Sequence, residues 1–558
     1  MDRRFKLRTI LTAILLLIFV SSAIADKKTD VVDKLFSQWN KKDTPGCALA
    51  IVKDGKIIYK QGYGLANLEL NIPITPQSVF YIGSVSKQFV TMCIAILAKQ
   101  EKLSLDDDIR KYVPELPDYR HPITVRHLIY HTSGLRDYLT LLGIAGIDFG
   151  TYHEDDVVEL IAHQKELNFA PGEEYLYSNS GYFLLAVIVE RASGKNFRKF
   201  AEQNIFKPLG MKNSHFHDDY RMLIKNRASG YFPAEEGRYK NFISTFDCVG
   251  SGGLFTSVED LFLWDQNFCH HKVGGKDLID LMHTKGKLNS GEELDYAFAL
   301  SIGEYKGLKT VDHGGALGGY RSTLVRFPEQ NFSVICLSNL SSFNPSKLAR
   351  QVADIYLAGQ FKEEPEPATK PAEKAKFIEL PKKKLQEKVG AYIDPKTGEF
   401  RTLGLRGRTL ILEAFGERFT LVAVSETEFQ VLKAPVEMGI KFEKQKKGKP
   451  MLMHIHREGE KSETYESFKL VKPTPEELKE YAGDYYSDEL QVTFRLALKK
   501  GKLHFVHKNA PESPLQPTLK DKFTERGYRI NFIRDKEKKL TGFTLDAGRV
   551  KNLRFNKK

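Results

Sequence analysis

The stretch Tyr81 to Phe89, YIGSVSKQF, places a serine and a lysine where they could carry out acyl transfer. Ser84 and Lys87 stand three residues apart, so their side chains share one face if the segment is helical. A serine at a helix N-terminus is well placed to become an alkoxide, and a lysine packed among apolar residues can act as a base. The same spacing is common by chance, and a helix-capping serine followed by a surface lysine is the alternative interpretation.

Two later segments offer groups that such a nucleophile needs. The loop GEEYLYSNSGY presents Tyr177 and Asn179 two residues apart, just ahead of an apolar helix. The segment VDHGGALGGYRS presents His313, Gly314 and Gly315 at a predicted strand edge, where missing side chains let a substrate backbone approach closely. The order and spacing of these segments together are less accidental than any one of them alone.

These motifs resemble the serine β-lactamase and penicillin-binding-protein superfamily, in its class C-like, peptidase S12-type branch of serine hydrolases. The resemblance covers about residues 30–360 and includes HTSGL, which begins at His131, and GSGGLFTSVEDL, which begins at Gly250. It implies an α/β (α+β) β-lactamase-like transpeptidase fold, in which helices flank an antiparallel sheet. It requires no metal and no organic cofactor.

The resemblance also implies a catalytic role for several residues. Ser84 attacks an acyl carbon to form an acyl-enzyme, while Lys87 and Tyr177 share the proton transfers. Which of these two side chains is the formal base stays open. The backbone N–H groups of Ser84 and Ala316 would form the oxyanion hole.

The substrate-binding residues include the one departure from the family pattern. By the resemblance, Asn179 orients the substrate amide, and His313, Gly314 and Gly315 form the strand beside the substrate. β-Lactamases and carboxypeptidases place a lysine at the position of His313, and an imidazole is mostly uncharged near neutral pH. His-x-Gly versions of the motif resemble D-aminopeptidases, D-amino-acid amidases and esterases.

The expected activity is therefore hydrolysis of small D-amino-acid peptides, amides or esters. One alternative is a D-alanyl-D-alanine carboxypeptidase or a β-lactamase. The other is a penicillin-binding peptidoglycan sensor that turns over slowly or not at all. The expected partner is a small-molecule or short-peptide substrate, with peptidoglycan fragments among the candidates, and an oligomer stays open.

The surrounding sequence predicts the elements that would position these groups. An apolar hairpin around Asp54 and Gly55 and a second one in STLVRFPEQNFSVICLSN are expected to pair in one antiparallel sheet. Further segments predict helices by their apolar pattern and end signals: SKQFVTMCIAILAKQEKL, TVRHLIYHTSGL capped by Thr124, YFLLAVIVERASGK ending at Gly194, SVEDLFLWDQNF and PSKLARQVADIYLAG. His127 and His131, four residues apart, are expected to serve packing and hydrogen bonding rather than metal binding.

The sequence after Phe361 has a different character. FKEEPEPATKPAEKAK, residues 361–376, is typical of a linker. Beyond it, LQEKVGAY from Leu385 is echoed by LKEYAGDYY from Leu478, a spacing that predicts two copies of a small β-barrel. D-aminopeptidases of the family also carry two such barrels, and the second resembles lipocalin-like modules, for which a structural role is preferred over ligand binding.

The N-terminal sequence is typical of a secretory signal peptide. A basic start precedes an apolar run from Ile10 to Val20 and the small-residue pattern Ala23-Ile24-Ala25. An uncleaved anchor is the alternative. The predicted domains are residues 1–25, signal peptide; 26–360, serine hydrolase; 361–376, linker; 377–470, first β-barrel; and 471–558, second, lipocalin-like β-barrel. We expect a bacterial protein of the periplasm or the medium, without a stable membrane span after cleavage.

Charge and cysteine content narrow the protein class further. The net charge of +13 lies in the tail, because residues 361–558 carry +12 and residues 26–360 carry −2. The basic residues are scattered through strand-like sequence and no nucleic-acid-binding module is recognisable, so solvated faces are the preferred interpretation. None of the five cysteines forms a C-x-x-C pair, and Cys93 and Cys336 lie in apolar runs that predict buried thiols.

Overall fold

The structure is a computed structural model, and it describes residues 27–147, 150, 153–362, 377–395, 397–414, 417–432, 438–446, 448–457, 462–506, 512–525 and 527–558. The predicted signal peptide and residues 363–376 of the predicted linker lie outside these ranges. Within them, no helix is long and apolar enough to cross a membrane. The chain divides into two compact units, one of residues 1–139 and 148–365 and one of residues 140–147 and 366–558.

The first unit is built on a six-stranded antiparallel sheet. As predicted, its first and last hairpins pair, because Cys47–Lys53 lies between Lys56–Tyr63 and Phe332–Ser338. Asp54 and Gly55 make the first turn with positive φ angles of 49° and 75°. From one edge to the other, the strands are Ser301–Tyr305, Leu308–Leu317, Tyr320–Phe327, Phe332–Ser338, Cys47–Lys53 and Lys56–Tyr63.

One face of this sheet is covered by two helices from opposite ends of the unit. These are the helix over residues 27–36 and the predicted helix Pro345–Tyr356, which begins with Pro345 at its first turn and is capped by Asn344. Leu348, Ala349, Val352 and Ala353 recur at helical spacing and are buried against the sheet. The buried thiols predicted at Cys93 and Cys336 are confirmed.

Two long helices are buried inside the first unit. The helix Lys87–Lys99, here called the nucleophile helix, and the helix Asn179–Ser193, here called the Asn179 helix, are buried on nearly all sides. Gly194 ends the latter with φ 68°, as predicted. The remaining α-helices that the structure describes in full or part before residue 362 are Val125–Ile129, Tyr138–Ala145, Glu154–Ala162, Phe197–Ala201, Lys207–Leu209, Val258–His270 and Gly275–Met282.

The helix predicted from TVRHLIYHTSGL is shorter than expected. Thr124 caps it, accepting the His127 N–H at 3.2 Å, but it ends at Ile129. His131 follows with a left-handed φ of 59°, so His127 and His131 do not share a helix face. Short strands complete the unit: Leu65–Asn67 with Ile72–Pro73, Phe80–Tyr81 and His215–Phe216 on either side of Leu254–Thr256, and Gly230–Pro233 with Tyr239–Phe242.

The described part of the second unit that follows the predicted linker is built of β-strands, as predicted, with two short helices. A closed barrel contains eight strands: Gly390–Ile393, Phe400–Arg406, Thr409–Ala414, Glu417–Ala423, Glu428–Leu432, Met438–Glu443, Leu452–Arg457 and Glu463–Phe468. A nine-stranded, nearly closed sheet follows: Gly483–Ser487, Val492–Lys499, Lys502–Val506, Ser513–Pro514, Gln516–Leu519, Lys522–Glu525, Tyr528–Arg534, Leu540–Ala547 and Val550–Lys557. The domain limits drawn from the sequence stay predictions.

The two similar sequences, LQEKVGAY and LKEYAGDYY, form the same elements at the beginning of each barrel. Each barrel opens with a five-residue helix, Lys382–Gln386 or Pro475–Lys479, followed by a strand. Tyr392 in the first strand donates to the Lys388 carbonyl at 2.8 Å, and Tyr485 donates to the Tyr481 carbonyl at 2.9 Å. In the second barrel, the ring of Phe555 stacks on those of Phe494 and Phe543.

Candidate active site

Ser84 and Lys87 meet at the start of the nucleophile helix. Residues Gly83–Ser86 form a 3₁₀ turn that runs directly into the helix at Lys87. The Lys87 Nζ lies 3.0 Å from the Ser84 Oγ. Lys87 is fully buried, whereas Ser84 is partly exposed. The alternative interpretation, a capping serine with a surface lysine, is therefore wrong.

Lys87 also contacts Tyr177 and Asn179, the second predicted motif. A buried amine needs hydrogen-bond acceptors, because burial without them is costly. The Lys87 Nζ donates to the Asn179 Oδ1 at 3.0 Å and to the Ser251 carbonyl at 2.5 Å. It also lies 5.0 Å from the Tyr177 ring centroid and 5.4 Å from that of Tyr182. The phenol and the amide predicted to share one side of the chain thus both face Lys87.

The loop that carries Tyr177 is tied down on both sides of Ser178. The Asn179 N–H donates to the buried carboxylate of Asp137 at 2.7 Å, where a negative charge suits a helix N-terminus. The Ser178 N–H donates to the His131 Nδ1 at 3.1 Å. The imidazole ring of His131 also packs on the Tyr177 ring, with centroids 4.2 Å apart. The loop is therefore held by contacts on three successive residues.

Glycines allow the nucleophile turn to lie against the His313 strand, Leu308–Leu317. A Cβ on Gly315 would be 2.0 Å from the Ile82 carbonyl oxygen and 2.9 Å from the Ser84 nitrogen. A Cβ on Gly83, whose φ is 54°, would be 2.6 Å from the Ala316 nitrogen. Only residues without a side chain permit this approach. It brings together the two backbone segments whose N–H groups, on Ser84 and Ala316, are predicted to form the oxyanion hole.

The His313 strand also has the predicted free edge. Its pairing with Ser301–Tyr305 ends at Asp312, whereas its pairing with Tyr320–Phe327 continues to Leu317. From His313 onward, the neighbouring strand of the sheet therefore covers one side. A substrate backbone can add to the other side as a further strand.

His313 is electrically neutral at physiological pH. Its ring is buried, and burial together with the positive charge of Lys87 lowers its pKa to about 4. Its Nδ1 donates to the Gly314 carbonyl at 2.7 Å, and its Nε2 lies 3.2 Å from the Tyr296 Oη. The site therefore lacks the positive charge that a lysine would supply at this position.

Several site residues were not predicted individually. His131 and Ser251 lie in stretches that the family resemblance singled out, but no role was assigned to them. The expected hydrogen-bonding roles of His127 and His131 are confirmed, since each ring accepts a backbone N–H. Asp137 and Tyr296 carried no signal in the sequence. Among the described residues, no group of three or more His, Cys, Asp or Glu side chains is arranged to hold a metal ion.

The comparisons with known proteins agree with this chemistry. A family model described as Beta-lactamase matches residues 32–357. Penicillin-binding protein 4* of Bacillus subtilis is 28% identical over 421 residues, which cover 72% of this chain and 92% of the relative. A D-aminopeptidase of Brucella anthropi is 24% identical over 534 residues, which cover 92% of this chain and 95% of the relative.

Solved structures share the fold. The octameric penicillin-binding protein homologue from Pyrococcus abyssi has 25% identity and a TM-score of 0.56, covering 79% of this chain and 99% of its own. EstCE1, a hydrolase with promiscuous acyltransferase activity, has 21% identity and a TM-score of 0.52, covering 60% of this chain and 99% of its own. With more than half of its length matched by the family model, the chain belongs to the beta-lactamase family of serine hydrolases.

Proposed function

We propose that this protein hydrolyses small D-amino-acid amides, peptides or esters through an acyl-enzyme on Ser84. The observation that carries the proposal is the 3.0 Å contact between the buried Lys87 Nζ and the Ser84 Oγ. A hydroxyl and an amine in this contact are the minimal pair for a base-activated nucleophile. Ser84 is partly exposed, so a substrate can approach this residue.

The hydrogen bonds of Lys87 suit it to accept a proton from Ser84. The form of Lys87 that lowers the pKa of His313 is the charged one, and the form that can act as a base is the neutral one. In the neutral form, the Asn179 Oδ1 and the Ser251 carbonyl can each accept one N–H of the amine. The nitrogen lone pair is then directed at the Ser84 Oγ. As that oxygen attacks the substrate carbonyl carbon, its proton passes to the base, and the negative charge on the substrate oxygen is met by the N–H groups of Ser84 and Ala316.

Collapse of the tetrahedral intermediate completes the first half of the reaction. The C–N or C–O bond to the leaving group breaks, and the leaving group takes a proton from Lys87 or Tyr177. A water molecule then attacks the acyl-enzyme by the same route and releases the acid. Which of the two side chains is the formal base stays open, because the Tyr177 ring lies only 5.0 Å from the Lys87 Nζ.

The neutral His313 supports the choice of substrate class. A fixed cation would favour substrates with a free carboxylate next to the scissile bond, and this chain has an uncharged imidazole there. The relative from Brucella anthropi is a D-aminopeptidase, and so is one from Gluconobacter oxydans that is 29% identical over 297 residues, which cover 53% of this chain and 56% of that relative. Both observations favour amides and esters over peptides that end in D-alanyl-D-alanine.

Turnover measurements test the proposal. We expect purified protein to hydrolyse D-alanine p-nitroanilide faster than the L-isomer, to hydrolyse p-nitrophenyl acetate, and to turn over a chromogenic cephalosporin poorly. Ser84→Ala should abolish all of these activities. Equal rates for the mutant would refute the nucleophile, and a stable penicillin adduct without turnover of any substrate would favour a penicillin-binding sensor instead.

A second variant tests the role of His313 in selectivity. We expect His313→Lys to shift relative kcat/KM toward substrates that carry a free carboxylate, because it restores the cation of the family pattern. His313→Gln, which adds no charge, is the matched control. Unchanged relative rates in the lysine variant would contradict the role.

Export and assembly complete the proposal. The first 25 residues support secretion to the periplasm or the medium, which N-terminal sequencing of the mature protein would test by finding Asp26 first. The Pyrococcus abyssi homologue is octameric, and an oligomer of this chain stays a proposal that light scattering can test. The domain limits drawn from the sequence belong to the proposal as well.

A further inference from the structure

A chain of hydrogen bonds crosses the buried side of the site, from the Tyr177 loop to the His313 strand. The Ser178 N–H donates to the His131 Nδ1 at 3.1 Å. The His131 Nε2 lies 3.2 Å from the Tyr296 Oη, which lies 3.2 Å from the His313 Nε2. The His313 Nδ1 lies 2.7 Å from the Gly314 carbonyl oxygen. All three side chains in the chain are buried.

The two ends of this chain determine where its protons lie. Because a backbone N–H can only donate, the His131 Nδ1 must be an acceptor, and the hydrogen of a neutral ring is on its Nε2. Because a carbonyl can only accept, the His313 Nδ1 must carry a hydrogen. The phenol between the rings then accepts from His131 and donates to the His313 Nε2, so every link is satisfied by neutral groups.

An additional proton does not fit this arrangement. If His313 were protonated, its Nε2–H would point at the Tyr296 oxygen, which already accepts from His131. The phenol hydrogen would then have to leave His313 for the Tyr182 hydroxyl, the other hydrogen-bond neighbour of Tyr296, so the present hydrogen-bond chain would break. The charge of Lys87 opposes protonation as well, and the carboxylate of the neighbouring Asp312 pairs with Arg350 at 3.0 Å. The other groups around the His313 ring are the phenols of Tyr177 and Tyr296.

We propose that His131 and Tyr296 are positioning residues that hold His313 as a neutral imidazole with both ring nitrogens engaged by the protein. The binding strand then offers the substrate neither a cation nor a histidine N–H. The proposal rests on the proposed function and deepens it, because it gives the physical reason why the site would select uncharged amides and esters.

His131 links this chain of hydrogen bonds to the Tyr177 loop. Its ring lies 4.2 Å from the Tyr177 ring, and its backbone is held at the left-handed φ of 59°, a conformation that a folded structure maintains at some cost. The same side chain therefore supports Tyr177 by packing, Ser178 by accepting its N–H, and His313 through Tyr296. His131 thereby fixes the Tyr177 loop and the His313 strand relative to each other.

Nitrogen NMR of the histidine rings tests the proposal without any substrate. In ¹⁵N-histidine-labelled Ser84→Ala protein at pH 7, we expect His131 as the Nε2–H tautomer and His313 as the Nδ1–H tautomer. Signals are assigned by their loss in His131→Asn and His313→Gln. A charged His313 at pH 7, or a hydrogen on its Nε2, would overturn the proposal.

Variants test the consequence for activity. Tyr296→Phe removes the central link and keeps the ring. His131→Asn retains an acceptor for the Ser178 N–H and tolerates the left-handed backbone, but cannot reach Tyr296. The control is Tyr130→Phe, because that buried tyrosine donates to the Thr284 carbonyl outside the chain of hydrogen bonds. Thermal unfolding of each variant shows that it is folded.

We expect kcat/KM for D-alanine p-nitroanilide to fall about tenfold at pH 6 in Tyr296→Phe, with a smaller loss at pH 8, because His313 becomes easier to protonate. His131→Asn should show the same pH dependence, and Tyr130→Phe should match the wild type. A pH profile unchanged in both test variants would overturn the proposal. If Ser84→Ala is as active as the wild type while the histidine tautomers are as stated, the proposed function is wrong but the proposed hydrogen-bond chain is confirmed.

Discussion

Replacing Gly315 with alanine tests whether the close approach of two backbone segments builds the oxyanion hole. The added methyl group would be 2.0 Å from the Ile82 carbonyl oxygen, 2.5 Å from the Ser322 Oγ and 2.9 Å from the Ser84 nitrogen. Two of these three atoms belong to backbone that cannot rotate away. The strand and the nucleophile turn must therefore separate by roughly 1 Å or more to restore normal contacts.

That displacement gives the expected size of the effect. A shift of about 1 Å in a reacting group, or the loss of one oxyanion-hole donor, costs on the order of 100-fold in kcat, equivalent to about 3 kcal/mol. Overpacking should also lower the free energy of unfolding by about 1–3 kcal/mol. The assay is the steady-state kcat for p-nitrophenyl acetate and D-alanine p-nitroanilide, with thermal unfolding in parallel.

The neighbouring Gly314 supplies a matched control. A Cβ there meets its nearest atoms, the Ser322 carbonyl oxygen and the Ser346 Oγ, at 3.7 Å, an ordinary contact distance. Neither glycine has a positive φ, so backbone strain affects neither substitution. Although Gly314 lies in the predicted binding strand, its Cβ would face the Ser346 Oγ and not the nucleophile turn, so we expect Gly314→Ala to stay within about threefold of the wild-type kcat. Wild-type activity in Gly315→Ala, or equal losses in both variants, would refute the reasoning.

Three other predictions follow from the structure. Lys87→Met should lower kcat/KM by at least about 100-fold while the protein stays folded, because it removes the amine beside Ser84 and keeps the volume; a smaller loss would exclude Lys87 from proton transfer. Burial lowers the pKa of His313 in the folded protein to about 4, below the ordinary histidine pKa of 6.5. As the pH drops from 6.5 toward 4, His313 therefore binds a proton in the unfolded chain but not in the folded one. The free energy of unfolding should fall over this range by about 3 kcal/mol for this group. His313→Gln should lack this part of the decrease in urea unfolding, and identical pH dependence in both proteins would contradict the assignment. Arg326→Met should lower the free energy of unfolding, measured in urea, by about 3–5 kcal/mol. The wild-type Arg326 Nε lies 2.9 Å from the buried carboxylate of Asp265, and the variant leaves that carboxylate without its cation. No loss of stability would show that the ion pair contributes nothing.

Features that depend on local sequence could be predicted. The turn at Asp54 and Gly55, the end of the Asn179 helix at Gly194 and the cap at Thr124 each rest on the conformational preference of one or two residues. The pairing of the first and last hairpins followed from the order of strands and helices. The three motifs marked Ser84 and Lys87 as the pair to look for.

Features that depend on distant contacts could not be predicted. Tyr296 joins His131 across 165 residues of chain, and its sequence surroundings give no pattern. The Ser251 group that binds Lys87 is a backbone carbonyl, which no residue type reveals. Because the nucleophile helix is apolar on nearly all sides, its periodicity could not distinguish a buried lysine from a surface one.

The most direct test of the account is the site of covalent labelling. Purified protein is treated with a fluorophosphonate, and the adduct is located by mass spectrometry of the intact protein and its peptides. We expect one adduct per chain, on Ser84, in the wild type, a rate of labelling that falls sharply in Lys87→Met, and no adduct in Ser84→Ala. An adduct on another residue, or equal labelling of Ser84→Ala, would contradict the account.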